Sequence, residues 1–70
     1  MRISYDPKYD ILYLKFGNAE KVICTDVNED ITIDMDGEGK LIGIEVLSAS
    51  EHIDLSLLLP VEITKEAIRQ

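Results

Sequence analysis

Four acidic side chains in the middle of the chain have a spacing that could bind a divalent cation: Asp34, Asp36, Glu38 and Glu45. The run Asp-x-Asp-x-Glu-Gly, with Glu45 at the twelfth position, nearly satisfies the ligand spacing of an EF-hand calcium loop. It departs from that loop because Glu38 stands where Asp or Asn is usual and Gly43 stands at the tenth position. The flanking residues also alternate as strands do. We therefore interpret the segment as an acidic turn, with the four carboxylates as a secondary candidate for a metal site.

No catalytic residue and no cofactor-binding residue is predicted. His52 is the single histidine and Cys24 the single cysteine of the chain. Although Ser48, Ser50 and Ser56 lie near His52 in sequence, hydrolysis also needs an orienting group and an oxyanion site, and the sequence indicates neither. We interpret His52 as a surface residue and Cys24 as a small buried apolar side chain. We expect the protein not to be an enzyme.

The charge of the chain disfavours nucleic acid as a partner. Seven Lys and Arg face fourteen Asp and Glu, for a net charge of −7, and the basic residues are scattered. Nucleic-acid binding needs a cluster of Lys or Arg that displaces counterions from phosphates. The acidic balance favours solubility and is compatible with a basic protein partner.

No secretion or membrane signal is predicted. The first seven residues lack the apolar core of a signal peptide, and no apolar run approaches the roughly 18 residues of a membrane span. A single cysteine excludes an intramolecular disulfide. We expect a cytoplasmic protein with no membrane partner.

Apolar and polar residues alternate through the first two thirds of the chain, which predicts β-strands. Residues with turn chemistry separate the runs. The runs cover residues 2–5, 11–16, 22–27, 31–36 and 41–47. Five short strands joined by short loops predict an antiparallel five-stranded β-meander over residues 1–47.

The register of the last hairpin has two candidate forms. If the hairpin closes around residues 37 and 38, Ile31 faces Ile44 and Ile33 faces Ile42, which buries the four side chains on one face of the sheet. The competing form places Gly39 in a left-handed bulge after a type I turn that starts at residue 36. Apolar matching favours the first form.

A short helix is predicted over residues 48–59, because Ser48 and Glu51 have the Ser-x-x-Glu spacing of a capping box. Pro60 discourages its continuation. The helix should pack on one face of the sheet, which gives an α+β fold in a single domain of residues 1–70, with residues 60–70 as a C-terminal extension.

A homodimer is expected because a 70-residue chain buries only about 60% of its unfolded surface and an open sheet leaves unpaired edges. The second strand has apolar side chains on both pleats, with Leu12 and Leu14 opposite Ile11 and Tyr13. Leucines also exceed the need of one helical stripe. They are Leu55, Leu57, Leu58 and Leu59.

Several separated motifs together resemble one family. They are Ile3-Ser4-Tyr5-Asp6-Pro7, Asp10-Ile11-Leu12-Tyr13-Leu14, Ile33-Asp34-Met35-Asp36 and, after Gly39, Gly43-Ile44-Glu45-Val46-Leu47. In this order they resemble DUF2283, a family of small bacterial and archaeal proteins of unknown function, over roughly residues 1–50. The resemblance implies a compact β-rich protein with no assigned activity or site residues. Because some members are encoded beside small toxin-like proteins, it also suggests an antitoxin-like interaction role.

Overall fold

A computed structural model describes residues 1–58 and shows five antiparallel strands in one open sheet, followed by a short helix and a 3-10 turn. The predicted α+β class is confirmed. Leu59 and the extension predicted over 60–70 lie outside the described residues. The strands are β1 (Arg2–Asp6), β2 (Ile11–Lys15), β3 (Ile23–Asp26), β4 (Ile31–Met35) and β5 (Leu41–Val46), the helix is α1 (Ala49–His52) and the 3-10 turn is Leu55–Leu57.

The strand order is β1-β2-β5-β4-β3, so the consecutive order of a meander is wrong. β5 returns to pair with β2, so both β5 and β4 lie between β2 and β3. Because β2 and β5 carry the longest apolar runs, they are best buried at the centre of the sheet. The polar run Cys24-Thr25-Asp26 of β3 is better tolerated at an edge, where one side meets water.

The register of the β4–β5 hairpin also differs from the favoured prediction. Ile33 lies opposite Ile44, and Ile31 lies opposite Val46. The predicted pairing of Ile31 with Ile44 and of Ile33 with Ile42 is therefore wrong by two residues. A two-residue shift leaves every side chain on its face of the sheet, so apolar matching could not distinguish the two forms.

Turn chemistry selects the observed register. Gly39 has a φ of +85°, which is the left-handed conformation of the competing form. Its N–H donates to the carbonyl oxygen of Asp36 at 3.1 Å, and the N–H of Asp36 donates to Lys40 at 3.0 Å. The Asp36 carboxylate also accepts the N–H groups of Glu38 and Lys40, both at 2.9 Å. These bonds fix the turn, and the pairing of β4 with β5 follows from it.

The core lies between α1 and the centre of the sheet. Leu12 and Ala49 are fully buried and Val46 is 3% exposed, with Leu12 opposite Val46 across β2 and β5. Half-buried apolar side chains surround these three: Ile3, Leu14, Ile31, Ile44, Ile53, Leu55 and Leu58. The predicted packing of the helix on one face is therefore confirmed.

Helix α1 is much shorter than the predicted span of 48–59. Ile53 is extended, and the Asp54 carboxylate accepts both the N–H and the hydroxyl of Ser56 at 3.1 and 2.6 Å. Such local side-chain bonds compete with helical bonds and end the helix. In the described residues, no helix is long and apolar enough to cross a membrane.

The predicted capping box is also wrong. Ser48 is left-handed, with φ 50° and ψ 47°, and its hydroxyl makes no capping bond. Asp10, forty residues from Ser50, caps the helix instead. Its backbone carbonyl accepts the Ala49 N–H at 2.9 Å. Its carboxylate accepts the N–H of Ser50 at 3.0 Å and the hydroxyl of Ser50 at 2.6 Å. Tyr5 donates to the same carboxylate at 2.7 Å. The β1–β2 turn thus holds the helix over the core.

Candidate functional site

The face of the sheet opposite α1 is called here the open face. Since side chains alternate along a strand and Leu12 packs under the helix, its neighbours in β2 point the other way. The cross-strand pairs extend this assignment to the other strands. The open face consists of Arg2, Ser4, Asp6, Ile11, Tyr13, Lys15, Cys24, Asp26, Thr32, Asp34, Gly43 and Glu45.

At the centre of the open face, Tyr13 reaches across a glycine to an aspartate. Its hydroxyl donates to Asp34 Oδ2 at 2.8 Å. Tyr13 is on β2 and Asp34 on β4, so the ring crosses β5, where Gly43 is buried beneath it. A Cβ at Gly43 would overlap the Tyr13 hydroxyl and lie 2.6 Å from Tyr13 Cζ. The missing side chain of Gly43 makes this contact possible.

Carboxylates give the open face a negative field over β3, β4 and β5. The hydrogen bond to Asp34 is the main reason that the pKa of Tyr13 lies above its usual value, with desolvation and the charges of Asp34 and Glu45 adding to it. The pKa of the Cys24 thiol is raised for the same main reason, and Asp26 and Glu45 contribute. At both sites the neutral form is stabilised.

Cys24 is exposed, so its predicted burial is wrong. Its position on edge strand β3, opposite Asp34, explains both its exposure and its raised pKa. A thiolate is the nucleophilic and metal-binding form of cysteine, and the surrounding carboxylates reduce its population.

The four candidate metal ligands are not brought together. Asp34 and Glu45 lie on the open face, where Asp34 accepts from Tyr13. Asp36 turns its carboxylate to the backbone of its own turn, and Glu38 is exposed in that turn. Within residues 1–58, no three His, Cys, Asp or Glu side chains are placed to hold a metal ion. The near-match to a calcium loop is a β-hairpin with an acidic turn.

His52 and the nearby serines have separate partners. His52 Nε2 lies 2.8 Å from Asp30 Oδ2 and links α1 to the β3–β4 turn. The hydroxyls of Ser50 and Ser56 donate to Asp10 and Asp54 respectively. Residues 50–56 line a shallow surface depression. The hydrogen bonds of the described residues include none between His52 and a serine, so the predicted surface role of His52 fits its position.

Sequence reasoning missed the contact between Tyr13 and Asp34 and the capping role of Asp10. A glycine inside a strand indicates that another group approaches the backbone closely, and Gly43 carried that signal. The partner that approaches could not be identified without the order of the strands. Asp10 carried no signal, because a residue that caps a helix forty positions away has no local pattern.

Comparisons with known proteins give one match. No curated protein and no solved structure matches the chain. The family model described as "Protein of unknown function (DUF2283)" matches residues 2–50, which contain all five strands and the first residues of α1. The chain therefore belongs to the DUF2283 family.

Proposed function

We propose that this protein is a non-catalytic interaction module whose open face binds a basic surface of a partner protein. The observation that carries the proposal is that three adjacent strands each place one carboxylate on the open face: Asp26 on β3, Asp34 on β4 and Glu45 on β5. The open-face positions of these three strands carry no basic side chain. The hydrogen bond to Asp34 is the main cause of the raised pKa values of Tyr13 and Cys24, and the charges of Asp34 and Glu45 add to it.

The described helical segments leave the open face free to contact a broad surface. The described helical segments pack on the other side of the sheet, against Leu12 and Val46. Tyr13 and Asp34 are half-buried and held by their mutual hydrogen bond, so little side-chain freedom is lost when a partner contacts them. Tyrosine is also common at the centre of protein interfaces.

An antitoxin-like role fits the same features. A net charge of −7 attracts a basic partner over long range, which accelerates association. The protein would neutralise that partner by covering its basic surface, a role that requires no catalytic group. Nucleic acid is disfavoured as a ligand of the open face, because carboxylates repel phosphates.

The test uses the purified product of a neighbouring gene as the probe, with affinity measured by calorimetry at low and high salt. The face variant changes three carboxylates to amides: Asp26→Asn, Asp34→Asn and Glu45→Gln. The matched control removes the same charge from exposed positions outside the open face: Glu20→Gln, Glu38→Gln and Glu51→Gln.

If the open face is the binding surface, the face variant weakens binding roughly tenfold or more while the control changes it little, and salt weakens binding of the wild type. Because asparagine keeps an acceptor oxygen for the Tyr13 hydroxyl, the fold should be retained, which circular dichroism checks. Equal losses in both variants would show that only net charge matters. Binding that resists both variants and salt would overturn the proposal.

The alternative function is a divalent-metal-binding domain that uses the acidic turn. It requires Asp34, Asp36, Glu38 and Glu45 to converge, which they do not do in the described structure. Thermal melting with added Ca²⁺ separates the two functions, because a ligand of the native state raises the melting temperature. A rise that Glu45→Gln abolishes would favour the metal-binding function over the interaction module.

A further inference from the structure

Strand β3 leaves an unpaired edge on the sheet, with an exposed apolar side chain at each of its two ends. It is last in the strand order, and no described strand pairs with its outer side. Ile23 is 58% exposed and Val27 is 56% exposed, and both lie on the same pleat as Thr25. An exposed strand edge presents unpaired backbone groups that pair readily with another strand.

We infer that two copies of this chain pair antiparallel through their β3 edges, with the two-fold axis at Thr25. The two sheets then form one continuous sheet. This inference goes beyond the proposed function, which needs only one copy and uses a different surface. It also gives a defined interface to the homodimer that the sequence led us to expect.

The backbone of β3 limits the possible registers. The Val27 N–H donates to the Ile31 carbonyl at 2.7 Å, so Val27 directs its backbone groups toward β4. Because this direction alternates along a strand, Thr25 and Ile23 do the same, whereas Cys24 and Asp26 present their N–H and C=O groups to the outer edge. Hydrogen bonds across the edge must therefore join Cys24 and Asp26 of one copy to even-numbered residues of the other. This condition places the axis on a residue of β3 and excludes every axis between two residues.

Side chains select one of the four remaining axes. An axis at Ile23 places Thr25 opposite Lys21 and leaves Val27 opposite Ala19, beyond the end of the strand. An axis at Asp26 places two like charges directly opposite each other, which is destabilising. An axis at Cys24 places Ile23 opposite Thr25 and leaves Val27 opposite Lys21. The axis at Thr25 places Ile23 opposite Val27 of the second copy, twice by symmetry, so that the exposed apolar side chains at the two ends of β3 cover each other.

Charge complementarity supports a second copy as the occupant of this edge. With the axis at Thr25, Lys21, which precedes β3, is brought near Glu29 in the β3–β4 turn of the second copy, and the symmetric pair repeats the approach. A favourable apolar pair and a favourable ionic pair therefore arise from one register that the backbone already permits. The edge of this chain is complementary to itself.

A disulfide at the axis tests the register. Directly opposed residues in an antiparallel pair have Cα atoms about 4.5–5.5 Å apart, which a disulfide can span. In the Cys24→Ser/Thr25→Cys variant, two copies of Cys at position 25 meet, so mild oxidation should give nearly complete covalent dimer. The matched control is Cys24→Ser/Asp26→Cys, whose thiols lie out of register and should cross-link little. Efficient cross-linking of that control, or of wild-type Cys24, with little from position 25 would overturn the register.

Charge variants at the exposed pair test the contact without a covalent bond. Ile23→Glu/Val27→Glu places like charges opposite each other and should raise the dimer dissociation constant roughly tenfold or more. Ile23→Lys/Val27→Glu places opposite charges there and should keep the dimer. Both variants change the same two exposed positions, so a fold defect would affect both. Sedimentation equilibrium measures the constants for the full chain.

Three results would overturn the inference. One is wild-type protein that stays monomeric up to about 100 µM, well above typical dissociation constants of specific complexes. An edge occupied by the chain's own C-terminal residues, or reserved for a different protein, would give this result. Another is equal dissociation constants for the two charge variants. The third is a stable dimer that both charge variants leave unchanged, which would place the interface elsewhere. None of these results depends on whether the open face binds a basic partner.

Discussion

The close approach of Tyr13 to Gly43 predicts that Gly43→Ala destabilises the protein through the tyrosine ring. The new Cβ would lie 2.6 Å from Tyr13 Cζ and 3.0 Å from the Leu14 carbonyl oxygen. A ring held by a hydrogen bond to Asp34 must then move or lose that bond. Over-packing of this kind costs about 1–3 kcal/mol, and replacing glycine returns about 0.4–1 kcal/mol by restricting the unfolded chain. We expect a net loss of about 1–2 kcal/mol in the free energy of unfolding.

A double-mutant cycle isolates the contribution of the ring. In a Tyr13→Ala background the overlap disappears, and Gly43→Ala should then change the free energy of unfolding by less than about 0.5 kcal/mol. Tyr13→Phe is the intermediate control, because it removes the hydrogen bond but keeps the ring over Gly43. Gly43→Ala should still destabilise that variant.

The assay is urea denaturation followed by far-ultraviolet circular dichroism, since the chain has no tryptophan to report unfolding by fluorescence. All variants should be compared at one protein concentration, because self-association would add to the apparent stability. Equal costs of Gly43→Ala in the wild-type and Tyr13→Ala backgrounds would refute the reasoning and assign the cost to the Leu14 carbonyl. A stabilising Gly43→Ala would refute the close contact altogether.

Three further predictions follow from single contacts. The hydrogen bond from Ser50, followed by that from Tyr5, lowers the pKa of Asp10. The contribution of the Asp10 carboxylate to stability is therefore present above its unfolded pKa of about 3.9 and is lost as the pH falls through the lower folded value. Asp10→Asn should flatten the acid limb of a plot of melting temperature against pH. Asp34→Asn should lower the pKa of Cys24 and accelerate its labelling by a disulfide reagent near pH 8, whereas unchanged labelling would contradict the assigned cause. Gly39→Ala should cost about 1–2 kcal/mol because its φ is +85°, while Gly37→Ala, which has open space and no such φ, should be neutral or slightly stabilising in the same denaturation assay.

Local pattern was sufficient to predict the strands and their faces. The alternation from Ile31 to Met35 gives β4 with the predicted bounds to within one residue, and β2 and β5 differ by a single residue at one end. The two-residue period of the pattern indicates which side chains share a face. Burial of that face is the largest favourable term in folding. This information is local, so one sequence carries it.

The register and the strand order required information that apolar pattern does not hold. Registers two residues apart bury the same side chains, so the choice between them fell to Gly39 and Asp36, whose turn preferences outweighed the match of isoleucines. Strand order depends on which strands are best buried on both faces. The run of β5 gave that signal for one face only, through Ile42, Ile44 and Val46, and a consecutive order was assumed because most neighbouring strands in sequence also pair in space.

The candidate site was only partly predictable for the same reason. Asp34 and Glu45 were identified as acidic residues of interest, but as ligands of a loop and not as members of a sheet face. Tyr13 and Cys24 join them only because β5 lies between β2 and β4 and β3 lies at the edge. Their shared location is a property of the topology, and a carboxylate on a strand is informative only when its neighbours across the sheet are known.

The two proposed interfaces should respond to salt in opposite directions. In the β3 pair, Cys24 lies opposite Asp26 of the second copy on the open-face pleat, so the acidic faces of the two copies join across the axis. Each copy carries a net charge of −7, and their repulsion opposes a contact that is otherwise apolar and backbone-mediated. Added salt screens this repulsion more than it weakens the attraction between the exposed Lys21 and Glu29, since such surface pairs contribute little. Dimerisation should therefore become stronger between low and moderate NaCl, while binding of a basic partner to the open face becomes weaker. Measuring both constants over one salt series separates the surfaces without any mutation, and a dimer that dissociates as salt rises would show that ionic pairs, and not the apolar side chains of the edge, hold the copies together.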